Sequence, residues 1–309
     1  MCAQSSNYEK QFRSFDEQVA LLEKRGLLIS DKIAVRRFLA ATNYYRFTGY
    51  AIPFLRDNDR ENFKAGVTFE QICHVISFDN ALRNFVAQAL RAIEIDFRTT
   101  VAHEHSRCYG AMGYTSKGNF ARPDDHDYMR GEIDYDIRKS TERCIVHFRH
   151  RYNGNVPIWA VIEVVSFGKV SHLYKAMKGL DQMQVARRYG LHQMTLSSYI
   201  HHLSVVRNAC AHHARLWDKE FRVGRNGDGF LPLAEWSRAG ISARDTCFLF
   251  HTLALIYRMA RPIPKSCFDR DAWKDELIGL LEAQRQTPLC DADKEMGIPK
   301  NWTDGFWWV

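Results

Sequence analysis

The feature that most constrains this chain is one long, unbroken stretch of helical periodicity. Between Thr68 and Cys108, apolar side chains recur at steps of three and four residues, the spacing that lines one face of an α-helix. These positions include Phe69, Ile72, Val75, Ile76, Leu82, Phe85, Val86, Ala89, Leu90, Ile93, Phe97 and Val101. We therefore expect one long helix here, or two helices placed end to end.

Helical patterns also dominate the rest of the chain. A further helical segment is predicted over residues 15–29, with a break at Gly26. Other helices are predicted to begin near residues 31, 132, 195, 243 and 273. We expect Asp31 and Thr195 to act as N-caps, and residues 109–128 to form an irregular connector. The apolar run 159–167 has strand propensity, but a buried helix is expected because its neighbours are helical. The first two helices predict a hairpin, with a helix-turn-helix as the alternative.

Composition places the chain among ordinary globular proteins. Of its 309 residues, 46% are hydrophobic and 26% charged, which excludes a disordered or low-complexity chain. The net charge of +7 favours polyanionic partners without identifying one. Eight scattered cysteines without a CxxC pair argue against a disulfide framework and a cysteine-based zinc site, so we expect a reducing cytoplasm. We expect no signal peptide and no membrane span, since the most apolar window, 247–260, is too short.

Arg207 and His212 are the residues whose chemistry stands out. Spaced five apart in a predicted helix, they are separated by about 140° and roughly 7.5 Å of rise. They can approach one phosphate only if the helix ends or bends there, or if a second copy supplies the other half of the site. A histidine that accepts a 2′-hydroxyl proton and an arginine that stabilises a charged phosphate are the two groups needed to cleave RNA without a metal. The alternative is structural: Arg207 pairs with a carboxylate such as Glu94, and His212 caps a helix end.

The surrounding residues resemble a known family. The stretch that begins Arg207-Asn208, continues through His212-His213 and ends at Trp217 is similar to the signature of the Abi-like (AbiD/AbiF) abortive-infection family. The helical core of that family belongs to the HEPN superfamily of ribonucleases. Further segments agree in order along the chain, at 27–29, 43–50, 69, 78–79, 82–83, 157–159, 163 and 166–168. The resemblance covers about residues 15 to 220.

The resemblance implies an all-α fold with a HEPN-type helical bundle core and additional N- and C-terminal helices. The expected domains are an N-terminal helical region at 1–67, a nuclease core at 68–220 and a C-terminal helical extension at 221–309. The resemblance also implies that Arg207 and His212 are the catalytic pair and that Asn208 shapes the site. It implies further that Glu94 and Arg98 form an acidic motif that orients Arg207. A second R-x4-H pattern, Arg98 to His103, leaves open a second half-site, although it lacks the surrounding signature.

The implied function is a metal-independent endoribonuclease of phage defence. We expect RNA as the substrate, a homodimer, an antitoxin or small RNA as a regulator, no membrane partner and no cofactor or metal. RNA contacts are predicted at His213, Arg215, His103, Arg149 and Arg151, and the adjacent Arg187 and Arg188 are a further basic segment. The alternative is a non-catalytic RNA-binding or toxin-regulating module on the same scaffold.

Overall fold

The computed structural model describes residues 11–224, 226–286 and 291–308, and over these residues the predicted all-α class is confirmed. The α-helices are α1 Phe15–Lys24, α2 Lys32–Thr42, α3 Tyr44–Tyr50, α4 Phe69–Tyr109, α5 Pro123–Lys139, α6 Arg143–Arg151, α7 Ile158–Val164, α8 Phe167–Ala176, α9 Gly179–Tyr189, α10 Gln193–Ala211, α11 Ala234–Arg238, α12 Leu249–Met259, α13 Arg270–Arg285 and α14 Ala292–Met296. One small element departs from this class. Strands β1 Leu55–Arg56 and β2 Asp59–Phe63 form an antiparallel hairpin that the sequence analysis did not predict.

The chain divides into two compact units. The first comprises residues 1–80 and 282–292, and the second comprises residues 81–281 and 293–309. The predicted domain boundaries at 67/68 and 220/221 remain predictions. No helix in the described part of the chain combines the length and the apolar character that a bilayer crossing demands.

The first unit has a small aromatic core at the start of α4. Phe69 packs against Phe38 and Phe47, with ring centroids 5.3 Å from each. Tyr50 is fully buried and donates a hydrogen bond of 2.6 Å to the buried carboxylate of Asp79. The segment 43–50 is therefore a short helix that is anchored to the core by its aromatic residues. Asp31 accepts from two backbone N–H groups at the start of α2, which confirms it as an N-cap.

The second unit is organised around α10. This helix packs against α8, α9 and α12, and its predicted apolar stripe is buried. The stripe consists of Leu196, Ile200, Leu203, Val206 and Cys210. The expected cap at Thr195 is wrong, because α10 begins two residues earlier and the His192 side chain accepts from the Met194 N–H. The imidazole offers the same type of acceptor as the threonine hydroxyl, so either residue satisfies a free N–H of the first turn.

The segments around residues 109–167 follow the predictions in part. Residues 158–164 and 167–176 are helical, which confirms helix over strand in the apolar run. The connector is shorter than expected, because α5 already begins at Pro123. Proline is favoured in the first helical turn, where its missing N–H costs nothing. The region expected to resume near residue 132 is therefore two helices, α5 and α6, which a break at Ser140 separates.

Candidate functional site

The candidate site lies at the C-terminal end of α10, where Arg207 and His212 are found. The helix ends at Ala211, and His212 is its C-cap residue. His213 follows with a left-handed φ of 54° and donates its N–H to Cys210 O at 3.1 Å, while Ala214 N–H bonds Ala209 O at 2.9 Å. These two bonds form a Schellman motif, in which glycine usually occupies the left-handed position. The helix therefore ends at the histidine pair, as the approach of Arg207 and His212 to one phosphate requires.

The Arg207 side chain extends from α10 to a carboxylate on α4. Its Nε donates to Glu94 Oε2 at 3.0 Å, and its Nη1 lies 3.5 Å from Asn208 Oδ1. The Arg207 side chain keeps 38% of its surface exposed, whereas that of Glu94 keeps 10%. Within the described residues, no hydrogen-bond partner of Arg207 Nη2 is present. Glu94 thus fixes one edge of the guanidinium while the other edge faces accessible space.

Arg98 holds Glu94 from the opposite side. It lies one turn further along α4, is buried, and donates both Nε, at 3.1 Å, and Nη2 to Glu94 Oε1. Its Nη1 donates to the carbonyl oxygens of Ile162 and Val165, the latter at 2.6 Å. These carbonyls belong to the last turn of α7 and the residue after it, where a helix leaves acceptors without intrahelical partners. Arg98 therefore caps α7 and positions Glu94, and its three nitrogens are all engaged.

His212 has an exposed side chain. No hydrogen bond joins it to Arg207, and no side-chain partner is found for it in the described ranges. Next to it, Ala214 O accepts from Nη1 of the buried Arg83 at 3.2 Å, which attaches the turn to α4. A cavity of about 490 Å³ lies immediately beyond, lined by Ala214, Arg215, Asp218, Lys219 and Glu220. The imidazole is thus accessible, on a turn whose backbone is held in place.

The other residues predicted to contact RNA differ in whether their side chains are already bonded within the protein. His103 is exposed on α4, and Arg151 is exposed at the end of α6. Arg149 instead donates to Arg138 O at 2.9 Å and to Ser140 O at 2.8 Å, which fastens α6 to the end of α5. Arg215 forms an ion pair of 3.0 Å with Asp218. Two further signature residues, Leu216 and Trp217, are fully buried and serve the core.

Two ionisable residues of the long helix α4 were given no role from the sequence, the buried Arg83 and the partly buried Asp96. Arg83 is 6% exposed and holds the turn after His213; it lies in the 82–83 segment of the family resemblance, but no role was predicted for it. Asp96 lies on α4 two residues after Glu94 and binds Arg188 and Tyr189. The one signal available was an ionisable residue beside a strongly apolar helical stripe. In the described residues, no three or more His, Cys, Asp or Glu side chains are grouped to hold a metal ion.

A sequence model of the Abi-like protein family matches residues 37–218, which is more than half of the chain. The chain belongs to the Abi-like family. The match contains Glu94, Arg98, Arg207 and His212, so the geometry described above lies within the family region. It begins later than the resemblance predicted, at residue 37 in place of about 15, and ends close to the expected limit. No curated protein and no solved structure is significantly similar to the chain.

Burial divides the residues that carry the sequence resemblance into two groups. Tyr50, Asp79 and Trp217 are buried and stabilise the fold. Arg207 and His212 are accessible and lie where a helix ends. Arg207, which the buried carboxylate of Glu94 holds in an accessible position, is preorganised for a ligand.

Proposed function

We propose that this Abi-like protein is an endoribonuclease of abortive infection that needs no metal ion, with a HEPN-type core at residues 68–220. The observation that carries the proposal is the arrangement of Arg98, Glu94 and Arg207. A buried carboxylate held by one arginine orients a second, half-exposed arginine in the helix whose C-cap residue is His212. A guanidinium held in this way offers a fixed positive charge to a phosphate without reorganising during the reaction.

In the proposed reaction, the His212 imidazole accepts the proton of a ribose 2′-hydroxyl. The 2′-oxygen attacks the adjacent phosphorus, and the bond from phosphorus to the 5′-oxygen breaks. The leaving 5′-oxygen takes up a proton, so the products are a 2′,3′-cyclic phosphate and a 5′-hydroxyl end. Arg207 stabilises the negative charge that builds up on the phosphate oxygens, while Glu94 and Arg98 act as positioning residues. Asn208, exposed beside Arg207, borders the site.

A homodimer completes the proposed site. At the end of α10 one chain supplies a single R-x4-H histidine, His212, and we assign the adjacent His213 to RNA binding, whereas the reaction needs one group that accepts the 2′-hydroxyl proton and one that donates a proton to the leaving oxygen. A second copy facing the first would provide both histidines and two guanidiniums around one phosphate. We expect the RNA backbone to be held by His213, Arg215, His103, Arg149 and Arg151, and an antitoxin or small RNA to restrain the activity.

The test is cleavage of labelled RNA in EDTA by the purified protein. We expect wild type to produce 2′,3′-cyclic phosphate ends, and Arg207→Ala and His212→Ala each to lower the rate by about 10²–10⁴-fold. Arg238→Ala, an exposed arginine on α11, is the matched control and keeps the wild-type rate. Cleavage that persists in both site variants would overturn the assignment.

One observation favours the non-catalytic alternative: Arg207 and His212 make no hydrogen bond to each other in the described chain. A module that only binds RNA, or that regulates a toxin, needs accessible positive charge without a paired acid and base. It predicts RNA binding that weakens steeply with salt, no cleavage, and no growth arrest on expression. Growth arrest by wild type that His212→Ala abolishes would exclude it.

A further inference from the structure

Four arginines line a cavity of the second unit that the proposed reaction does not use. Arg187 and Arg188 lie in the last turn of α9, Arg258 lies in the last turn of α12, and Arg261 follows that helix. The cavity measures about 430 Å³, which falls in the range of small-molecule sites, about 300–1,000 Å³. Tyr189, Gly190 and Pro262 complete its lining, so no acidic side chain contributes to the wall.

The charges around this arginine cavity do not cancel. Arg188 is compensated, because its guanidinium forms a two-pronged ion pair with Asp96, whose second oxygen also accepts from the Tyr189 hydroxyl at 2.7 Å. Arg187 bonds only the neutral Gln184, and Arg261 is exposed without an ion pair to any described residue. Each helix end contributes about half a negative charge. Together with Asp96 this leaves about two positive charges facing the cavity.

Arg258 is the least exposed of the four arginines. Its Nη1 is buried and has no hydrogen-bond partner among the residues that the structure describes. Burial and the neighbouring Arg261 lower the pKa of Arg258, while Glu235 counteracts this only from beyond ion-pair distance. A buried N–H group without a partner is costly, and nearly all buried polar groups in proteins have one. Because Arg258 lines the cavity, an anion there would offset the charge of its guanidinium.

The backbone at the cavity favours close approach to Arg258. Gly190 ends α9 with a left-handed φ of 61°, a conformation that glycine adopts without strain. A Cβ atom at this position would lie 3.6 Å from Arg258 Nη2, so the end of α9 lies close to the guanidinium. The two helix ends thus hold their arginines around one small space.

We propose that the cavity formed by Arg187, Arg188, Arg258 and Arg261 binds a phosphoryl group. Planar guanidinium groups match the oxygens of phosphate in pairs, and the excess of about two positive charges matches a phosphate dianion. The group can belong to a free nucleotide or to an RNA backbone, since both present anionic phosphate oxygens to guanidinium groups. The cavity is separate from the Arg207 site along α4, because Asp96 and Glu94 are two residues apart and so differ by about 200° around the helix.

Calorimetric titration with pyrophosphate tests the site, with His212→Ala as the background so that RNA cleavage cannot interfere. We expect binding at low ionic strength that Arg258→Gln and the double variant Arg187→Gln/Arg261→Gln each weaken at least about tenfold. Arg244→Gln, an exposed arginine of the same unit outside the cavity, is the control and keeps the wild-type affinity. The Arg187→Gln/Arg261→Gln change is at the surface, so it keeps the test valid if Arg258→Gln unfolds.

Competition identifies the source of the phosphate. If a short single-stranded RNA displaces pyrophosphate, the cavity holds the RNA backbone; if ATP displaces it and the RNA does not, the cavity holds a free nucleotide. Absence of pyrophosphate binding would overturn the proposal, and so would an equal loss in the Arg244→Gln control. Because these titrations measure binding alone, they give the same answer whether or not the protein cleaves RNA.

Discussion

The R-x4-H pattern occurs three times in this chain, at Arg98–His103, Arg187–His192 and Arg207–His212, and the first and last copies lie in different surroundings. Arg98 is buried, and its guanidinium donates to Glu94 and to two carbonyl oxygens. His103 lies on the same uninterrupted helix. Arg207 is half-exposed, with a single carboxylate contact, and His212 lies where α10 ends. The same spacing therefore gives a buried, structural arginine in α4, and an accessible arginine and histidine at the end of α10. What separates the two copies is the end of the helix, which the pattern itself does not encode.

This difference also bears on the competing interpretations of Arg98. In a continuous helix, residues five apart point about 140° away from each other, so Arg98 and His103 do not share a face. The hydrogen bonds of Arg98 favour the interpretation that it is a partner of Glu94, and not part of a second half-site. Glu94 in turn joins the two copies, since it accepts from both Arg98 and Arg207.

The largest expected effect concerns stability and separates the two arginines. Arg98→Ala removes one partner of a buried carboxylate and leaves two carbonyls unsatisfied, so we expect a loss of about 3–5 kcal/mol in the free energy of unfolding. Arg207→Ala breaks a pair that water partly screens, and should cost about 0–1 kcal/mol. Urea unfolding measures both, with Arg91→Ala, exposed on α4, as the control. If Arg98→Ala and Arg207→Ala lowered the free energy of unfolding equally, the two arginines would contribute equally to stability, which would contradict the comparison.

Acid pH is expected to act on stability through histidines outside both copies. Burial lowers the pKa of His202 to about 3 and that of His251 to about 4. The unfolded chain, with a histidine pKa of about 6.5, binds protons that the folded chain does not, so stability falls as the pH drops below 6.5. By pH 5 each histidine should lower the free energy of unfolding by about 2 kcal/mol.

Urea unfolding between pH 7 and pH 5 measures this loss. His251→Gln should reduce the dependence on pH, whereas His103→Gln, on an exposed residue, should leave it unchanged. The comparison distinguishes acid unfolding from any direct effect of pH on cleavage. A stability that is flat over this range would show that the buried histidines do not titrate as their burial requires.

The smallest expected effect concerns the turn that ends α10. His213 has a left-handed φ of 54°, which costs a residue with a Cβ atom about 1–2 kcal/mol. We therefore expect His213→Gly to be more stable than His213→Ala by about 1 kcal/mol, as measured by thermal unfolding. An alanine variant as stable as the glycine variant would show that the backbone is not strained there.

The helices were predictable because their apolar periodicity is local. The stripe from Leu196 to Cys210 needs only the spacing of neighbouring residues, and the structure buries it as predicted. The exact start of α10 was missed because several polar side chains there could accept from a free N–H. The β1–β2 hairpin was missed because its strands are too short to show alternation.

The candidate site was predictable in its residues and less so in its geometry. Glu94 and Arg207 were paired through the family resemblance, because a contact between residues 113 positions apart leaves no local signal. The Schellman turn has a histidine where glycine is usual, so its left-handed residue was not apparent. Only half of the arginine cavity could be predicted from the sequence. Arg187 and Arg188 are adjacent in the chain, but Arg258 and Arg261 come from the end of a distant helix.

The most direct test of the account compares the histidines of the two copies in an RNA cleavage assay in EDTA. His212→Ala should lower the maximal rate by about 10²–10⁴-fold, as expected for loss of a general base. His103→Ala should leave the maximal rate within about tenfold and raise the RNA concentration for half-maximal rate, since it would contribute only to binding. Equal maximal rates for wild type and His212→Ala, or a comparable loss of maximal rate in His103→Ala, would contradict the account.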